Sequence, residues 1–208
     1  MAKRPPRQRS NPTSSSAPIV VVLAGPNGAG KSTAAPRLLK GSLSVYEFLN
    51  ADMIARGLSP FNPENAALAA SEVFLHRLDA LASKRISFGL ETTLAARTLA
   101  PRLRDLISQG YRFHLVFLWL PGASLAIARV ADRVRLGGHS IPEETIRRRY
   151  AAGLHNFFQL YQPIAATWQM YDNSQIGKMS LIASGGSATT TKVGLKSIWQ
   201  SIQQEYAP

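Results

Sequence analysis

The residues best suited to chemistry in this sequence form a glycine-rich run, GPNGAGKS, at positions 25–32. The run matches the pattern G-x-x-x-x-G-K-[ST], in which glycines let successive backbone N–H groups point inward and hold phosphate oxygens. In such a loop the lysine reaches the β- and γ-phosphates and the hydroxyl binds Mg²⁺. Lys31 and Ser32 occupy these two positions. The run therefore predicts a nucleoside triphosphate site, with Ser32 as the metal ligand.

A phosphate-binding loop needs a strand before it and a helix after it, and the sequence predicts both. Residues 19–24, IVVVLA, form an unbroken apolar run typical of a strand buried on both faces. Residues 33–40 are expected to be helical, so that the positive end of the helix dipole faces the anion. This context disfavours a glycine-rich turn with an incidental lysine. The expected cofactor-binding residues are Gly25, Pro26, Asn27, Gly28, Ala29, Gly30, Lys31, Ser32 and Thr33.

The rest of the chain alternates predicted strands with predicted helices. Strands are expected at 45–49, 86–90, 113–120 and 179–183, and helices at 62–83, 95–109, 123–136, from 140 onward and 193–206. Helices of this length between strands predict right-handed crossovers and a doubly wound parallel sheet. The expected fold is α/β, a nucleoside-kinase-like P-loop NTPase with a helical, arginine-bearing lid. Because ligands of such sheets bind outside the carboxyl ends of the strands, polar residues there are the candidates for chemistry.

The helix at 62–83 has both a start signal and an apolar side. Its first residues, NPE, provide an N-cap, a proline at the first helical position and an acid. The residues expected on its buried side are Leu68, Val73, Leu75, Leu78 and Leu81.

Two predicted strands are followed by acidic residues. NAD (50–52) follows the second strand, where a carboxylate would face the γ-phosphate and accept a proton from an attacking hydroxyl. ETT (91–93) follows the third strand and offers an acid and two hydroxyls that could grip a polyol or sugar. Asp52, Glu91 and Thr92 are therefore candidate substrate-binding residues, and Asp52 is the candidate catalytic base. At both positions the alternative is that the acid caps the following helix.

Arginines are concentrated on two predicted helices on either side of a diglycine. The first helix carries Arg129, Arg133 and Arg135, and the second, after Gly137-Gly138, carries Arg147, Arg148 and Arg149. SIPE (140–143) matches a capping box that would start the second helix. Two arginine-bearing helices joined by a hinge predict a lid at about 129–150 that closes over transferring phosphates. The alternative is a solvated pair of basic helices.

The whole chain has 208 residues, 45% of them hydrophobic, and a net charge of +12. Residues 1–17 are rich in Pro, Ser and Arg and contain no acid, so we expect a disordered basic tail. A single P-loop kinase domain is expected at 18–208. No apolar run approaches the length that spans a bilayer, and the tail lacks the apolar stretch of a secretory signal. We therefore expect a cytoplasmic protein with no membrane partner.

Taken in order along the chain, the motifs resemble those of the zeta-toxin-like P-loop kinases, close to the UDP-N-acetylglucosamine kinases. The resemblance covers roughly residues 18–174. It rests on GPNGAGKS (25–32), NAD (50–52), ETT (91–93), RVADRVRLGGHSIPEETIRRRY (129–150) and YDNS (171–174). It implies transfer of the ATP γ-phosphate to a hydroxyl of a UDP-activated amino sugar. It also implies an antitoxin protein as a partner.

The resemblance implies roles for individual residues. Lys31 and Ser32 become the anchors of the nucleotide and of magnesium, and Asp52 becomes the general base. Glu91 and Thr92 become substrate-binding residues. The chain is shorter than the larger plasmid toxins, which leaves little sequence for an elaborate sugar-binding subdomain.

Towards the lid and the C-terminus, the resemblance implies further roles. Arg133 and either Arg148 or Arg149 become the arginines that stabilise the transferring phosphate. Asp172 and Asn173 are implied to lie near the nucleotide or the lid hinge.

Other classes of nucleotide-binding protein need features that can be compared with this sequence one at a time. The fourth predicted strand ends in WLP (119–121) without an acid, which argues against an AAA-type motor or a transporter ATPase. A polynucleotide 5′-hydroxyl kinase would share the loop and Asp52. No stripe of basic and stacking aromatic residues is apparent, so a nucleic-acid partner is not expected. A nonenzymatic NTP-binding regulatory module would not need acceptor-side carboxylates.

Overall fold

A computed structural model of the chain describes residues 17–138, 140–187 and 189–208. The basic tail predicted for residues 1–17 lies, apart from Ala17, outside the described residues. The strands are β1 (Ile19–Ala24), β2 (Glu47–Leu49), β3 (Phe88–Thr92), β4 (Arg112–Trp119), β5 (Thr167–Gln175), β6 (Lys178–Gly186) and β7 (Thr189–Val193). The helices are α1 (Lys31–Ala35), α2 (Ala51–Leu58), α3 (Ala67–Ser83), α4 (Leu99–Ser108), α5 (Ala123–Arg135), α6 (Glu143–Asn156) and α7 (Lys196–Tyr206). A π-helical segment, Pro36–Ser42, continues α1, and the segments Phe157–Tyr161 and Gln162–Ile164 continue α6.

β1 lies inside the sheet, and its surroundings explain its composition. It is parallel to both of its neighbours, β3 and β4, and Val20, Val22 and Ala24 are fully buried. A strand covered on both faces needs the unbroken apolar run that the sequence has. The strand order β2-β3-β1-β4-β5-β6-β7 confirms the predicted α/β fold. It also brings the carboxyl ends of β1, β2 and β3 together at one edge of the sheet.

The sheet is not parallel throughout. The five strands β2, β3, β1, β4 and β5 are parallel, whereas β6 and β7 are antiparallel to their neighbours. The strand predicted at 179–183 lies inside β6 and is not the fifth parallel strand. That strand is β5, which sequence reasoning missed. Only Trp168 and Met170 give it a buried apolar alternation, and its second half, YDNSQ, is polar.

The helix predicted at 62–83 begins later, at Ala67. Leu68 and Val73, expected on its buried side, are exposed, whereas Leu78 and Leu81 are buried. The reason is that the first half of α3 packs on α2 through small side chains, so its large apolar residues point elsewhere. The small residues of this contact are Ala55, Ala66 and Ala70.

α5 and α6 confirm the two helices predicted on either side of the diglycine, but the capping box is wrong. Pro142 has a ψ of 136°, which is outside the helical range, so α6 begins only at Glu143. Its N-cap makes no side-chain hydrogen bond. α2 was not predicted, because eight residues that include a glycine show too few turns for a clear helical period.

Candidate active site

The glycine-rich loop between β1 and α1 has the backbone that its sequence requires. Gly25, Gly28 and Gly30 have φ angles of 136°, 76° and 80°, which favour glycine over residues with a Cβ. A Cβ on Gly25 would lie 2.2 Å from the carbonyl oxygen of Leu118 in β4. The loop therefore depends on close backbone contact with β4, which only a glycine at this position permits.

Lys31 lies buried within the loop, with 6% of its surface exposed. Its Nζ donates hydrogen bonds to the carbonyl oxygens of Gly25 and Pro26, both at 2.9 Å, and lies 3.8 Å from Glu91 Oε1. Burial lowers the pKa of Lys31 below the ordinary lysine value, although the nearby carboxylates of Glu91 and Asp52 act in the opposite direction. The ammonium group is therefore placed at the loop and held there by carbonyl groups.

Glu91, the fourth residue of β3, is bonded to the loop and to the start of α2. Its Oε2 accepts hydrogen bonds from Ser32 Oγ and from Asn50 Nδ2, both at 2.8 Å. The register of the sheet explains this position, because Glu91 pairs with Leu23, just before the loop. A hydroxyl beside a carboxylate is an oxygen donor set of the kind that Mg²⁺ prefers. Ser32 and Glu91 therefore fit a magnesium ion.

The acids at the two strand ends do not cap helices, which resolves the alternative left open by the sequence. Asn50 is the N-cap of α2, and its Oδ1 accepts a hydrogen bond from the Met53 N–H at 3.1 Å. Asp52 lies in the first turn of α2 and is exposed. The Glu91 carboxylate is bonded across to the loop, as described above. The Thr92 hydroxyl accepts a hydrogen bond from the Leu94 N–H at 3.1 Å, which engages it in a local turn.

Asp52 lines a cavity of about 490 Å³ between α2, α3 and the lid helices. Arg133 of α5 and both Arg148 and Arg149 of α6 line the same cavity. Arg133 and Arg149 are also close enough to Lys31 for their charges to lower its pKa further. The structure therefore brings the candidate base and three arginines of the predicted lid together in one cavity. Glu91 and Thr92 are not among the residues that line this cavity.

Five of the six arginines of the predicted lid divide into two groups. Arg135 forms an exposed ion pair with Asp132 at 3.0 Å, and Arg147 forms another with Glu143 at 3.9 Å. These two belong to the solvated basic surface that was the alternative interpretation. The cavity-lining arginines described above do not, because they converge with Asp52 on one space.

Arg129 has a different place from Arg133, although the two are only four residues apart in α5. Its guanidinium donates to the carbonyl oxygens of Gly28 at 3.5 Å, Asn173 at 2.9 Å and Ser174 at 2.5 Å. Asn173 Nδ2 in turn donates to the Ala29 carbonyl oxygen at 2.7 Å. Asn173 therefore lies beside the glycine-rich loop, and Arg129 ties that loop to β5. Sequence reasoning missed this contact because it joins segments more than 100 residues apart.

Together, the fold and the loop define a P-loop nucleotide-binding protein with a kinase-like domain. A family model described as an AAA domain matches residues 20–153, and the chain belongs to that family. The match covers the loop, the residues that line the cavity, α5 and most of α6. It does not test the expectation, based on the end of β4, that the protein is not an AAA-type motor.

Similar proteins agree with this fold. An uncharacterised protein of Haemophilus influenzae is 29% identical over 126 residues, which cover 61% of this chain and 88% of that protein. The crystal structure of the AvrRxo1-ORF1:AvrRxo1-ORF2 complex with sulphate ions has a TM-score of 0.73 and 13% identity, covering 91% of this chain. This chain spans only 65% of that one.

The PezAT chromosomal toxin–antitoxin system of Streptococcus pneumoniae provides a further similar structure. Its TM-score is 0.64 at 16% identity, and the match covers 93% of this chain and 80% of that chain. At these identities the likeness concerns the fold. In the part of the chain that the structure describes, no helix is both long and apolar enough to cross a membrane.

Proposed function

We propose that this protein is an ATP-dependent kinase that transfers the γ-phosphate to a hydroxyl group of a small-molecule acceptor. The observation that carries the proposal is the cavity that Asp52 lines together with Arg133 and Arg149, whose charges, like that of Asp52, act on the pKa of Lys31 in the P-loop. A nucleotide-binding switch without chemistry would not need a carboxylate and arginines facing one space next to the γ-phosphate position. A kinase needs both.

Each residue has a definite task in the proposed transfer. The loop N–H groups and Lys31 bind the β- and γ-phosphates, and Asp52 accepts the proton of the acceptor hydroxyl. The hydroxyl oxygen then forms a bond to the γ-phosphorus while the bond from that phosphorus to the ADP oxygen breaks. Arg133 and Arg149 stabilise the charge on the transferring group. Ser32, supported by Glu91, is the residue assigned to Mg²⁺, which when bound would neutralise charge on the phosphates.

We infer the acceptor from the sequence motifs described first, which resemble those of the UDP-N-acetylglucosamine kinases. A UDP-activated amino sugar is therefore the first acceptor to test, with Glu91 and Thr92 as proposed substrate-binding residues. A cytoplasmic toxin paired with an antitoxin is the biological setting that the same resemblance suggests. A polynucleotide 5′-hydroxyl kinase and a nonenzymatic regulatory module remain alternatives, and the same assay separates all three.

The first experiment is phosphoryl transfer from γ-labelled ATP with Mg²⁺. The acceptors are UDP-N-acetylglucosamine, other UDP-sugars, nucleosides and a 5′-hydroxyl oligonucleotide. Asp52→Asn should lower turnover by about 10²-fold or more, because general base catalysis contributes at least that much. It should leave ATP binding intact, since Asp52 lies on the acceptor side. Lys31→Ala should weaken ATP binding as well.

Asp105→Asn is the matched control, because it removes an exposed carboxylate outside the cavity. Near-normal turnover by Asp52→Asn would reject Asp52 as the base. If label appears only on the oligonucleotide, the acceptor is a polynucleotide 5′-hydroxyl and not a UDP-sugar. Label that appears only in inorganic phosphate, whichever acceptor is added, would favour the regulatory module.

A further inference from the structure

The cavity that contains Asp52 carries more positive charge than phosphate transfer explains. Its lining includes four arginines and two carboxylates, namely Arg56, Arg133, Arg148, Arg149, Asp52 and Glu64. One carboxylate is the proposed base. A concave site with excess arginine attracts anions, and guanidinium groups match phosphate and carboxylate oxygens in pairs. The excess of arginines therefore indicates that the cavity binds an anion in addition to the phosphate that is transferred.

The arginines lie at different places relative to the loop. Arg133 and Arg149 are near enough to Lys31 for their charges to lower its pKa, so they are the cavity arginines on the side towards the loop. Arg56 belongs to α2, whose N-cap, Asn50, is bonded to Glu91 beside the loop. Because Arg56 is in the last turn of α2, it lies at the end of the helix that points away from the loop.

Arg56 is also well placed relative to the proposed base. It follows Asp52 by four residues in the same helix, so the two share a face and are separated by about 6 Å along the helix axis. Both line the cavity, and Arg56 is exposed there. In the described part of the chain, no hydrogen bond or ion pair joins the Arg56 guanidinium to another residue.

We propose that Arg56 is a specificity-determining residue that binds an anionic group, phosphate or carboxylate, carried by the acceptor. The group would lie about one helical turn from the hydroxyl that Asp52 activates. Arg148, which lines the same cavity from α6, contacts this group when the lid is closed. The inference rests on the proposed kinase function and narrows its substrate class: the acceptor is itself an anion, and neutral sugars and nucleosides are poor substrates.

The test measures binding before it measures turnover. The protein is saturated with Mg²⁺ and a non-hydrolysable ATP analogue, so that the loop is occupied, and is titrated calorimetrically with UDP, inorganic phosphate and gluconate. N-Acetylglucosamine and uridine are the neutral probes. Arg56→Gln should weaken the tightest-binding anion by about 10-fold or more, the equivalent of about 1.4 kcal/mol. It should leave the neutral probes unchanged.

Arg97→Gln is the matched control, because Arg97 is an exposed arginine that does not line this cavity. Equal anion affinity in Arg56→Gln and Arg97→Gln would overturn the inference, and so would failure of all three anions to bind the wild-type protein. Arg56→Gln is expected to retain the wild-type melting temperature, since an exposed side chain without partners contributes little to stability.

Steady-state kinetics then separates the inference from the proposed function. With the acceptor found by the phosphoryl-transfer panel, Arg56→Gln should raise the KM for that acceptor by about 10-fold with kcat and the KM for ATP nearly unchanged. A fall in kcat alone would reject the specificity role while the kinase function stands. Arg56-dependent anion binding without transfer to any acceptor would reject the kinase function while the anion subsite stands.

Discussion

At the scale of single residues, the site depends on charges that are close together and only partly exposed to water. Lys31 is buried and bonded to two carbonyl oxygens of its own loop, and Glu91 is shared between Ser32 and Asn50. The arriving phosphate would therefore replace the carbonyl groups as the partner of the ammonium group. This exchange should be visible in how nucleotide binding depends on pH.

We expect nucleotide affinity to fall as the pH rises. The fall should occur at a lower pH than it would if Lys31 had the pKa of an ordinary lysine. Because burial lowers the pKa of Lys31, the protonated form that binds phosphate is lost before the usual value of about 10.4. Titration with a fluorescent ATP analogue between about pH 7.5 and 10.5 measures the step. The Lys31→Ala variant should bind the analogue more weakly, and its affinity should not show this pH-dependent step. Parallel curves for the two proteins would contradict the assignment of the step to Lys31.

The same lowered pKa has a consequence for the free energy of unfolding. The unfolded chain keeps the Lys31 proton to higher pH than the folded chain does. Between the folded and unfolded pKa values the unfolded state therefore binds more protons, and this residue makes stability rise with pH. Below the pKa of Lys31 in the folded state, the residue is charged in both states. Burial of this charge then lowers the free energy of unfolding by an amount that does not change with pH.

At the scale of elements, the strand–loop–helix unit at β1 and α1 depends on how closely the loop approaches β4. Gly25 follows the buried strand directly and contacts the backbone of Leu118. Arg129 of α5 and Asn173 of β5 hold the next part of the loop through its carbonyl groups. Three elements outside this unit, namely β4, α5 and β5, therefore hold the loop in place.

Gly25→Ala should abolish nucleotide binding and lower the free energy of unfolding by about 2 kcal/mol or more. Its φ of 136° is unfavourable for alanine, and the new Cβ would lie 2.2 Å from a backbone oxygen. Gly57→Ala is the control, because Gly57 is in α2 with no atom within 4 Å of the added Cβ. It should raise stability by about 0.5–1 kcal/mol. Urea denaturation and ATP titration measure both variants; normal ATP binding by Gly25→Ala would refute the packing argument.

At the scale of the whole molecule, α7 closes the core on the side of β5 and β6. The indole of Trp199 stacks on that of Trp168 in β5 at 5.5 Å and 22°, and packs against Phe158 at 5.6 Å. Trp199, Ile202 and Tyr206 are all buried. The C-terminal helix is thus part of the core of the domain, although it lies outside residues 20–153, which match the family model.

Trp199→Ala should lower the free energy of unfolding by about 3–5 kcal/mol, because it removes a large buried side chain from a stacked pair. Nucleotide affinity of the folded fraction should be nearly unchanged, since α7 is not part of the loop. Gln204→Ala, an exposed change in the same helix, should stay within about 0.5 kcal/mol. Chemical denaturation checks both. A loss below about 1 kcal/mol for Trp199→Ala would show that α7 is only loosely attached.

The sequence alone predicted the features that are set by residues close together in the chain. The loop, the strand before it and the α/β order of elements follow from local spacing, because glycine conformation, apolar runs and helix length act over short stretches of chain. Asp52, Glu91 and the lid arginines could be selected as candidates for the same reason, since strand ends and helix faces are local patterns. Their roles remain predictions.

Only the tertiary structure decided which of these residues meet. Glu91 bonds to Ser32, Arg129 binds the loop while Arg133 lines the cavity, and β5 lies where a polar sequence gave no strand signal. These outcomes depend on sheet register and helix packing between segments far apart in the chain. In such contacts the neighbours of a residue come from distant parts of the chain. A local sequence pattern therefore cannot predict them. Helix packing likewise decided that Asp52 and Arg56 of α2 line one cavity with Arg133, Arg148 and Arg149 of α5 and α6.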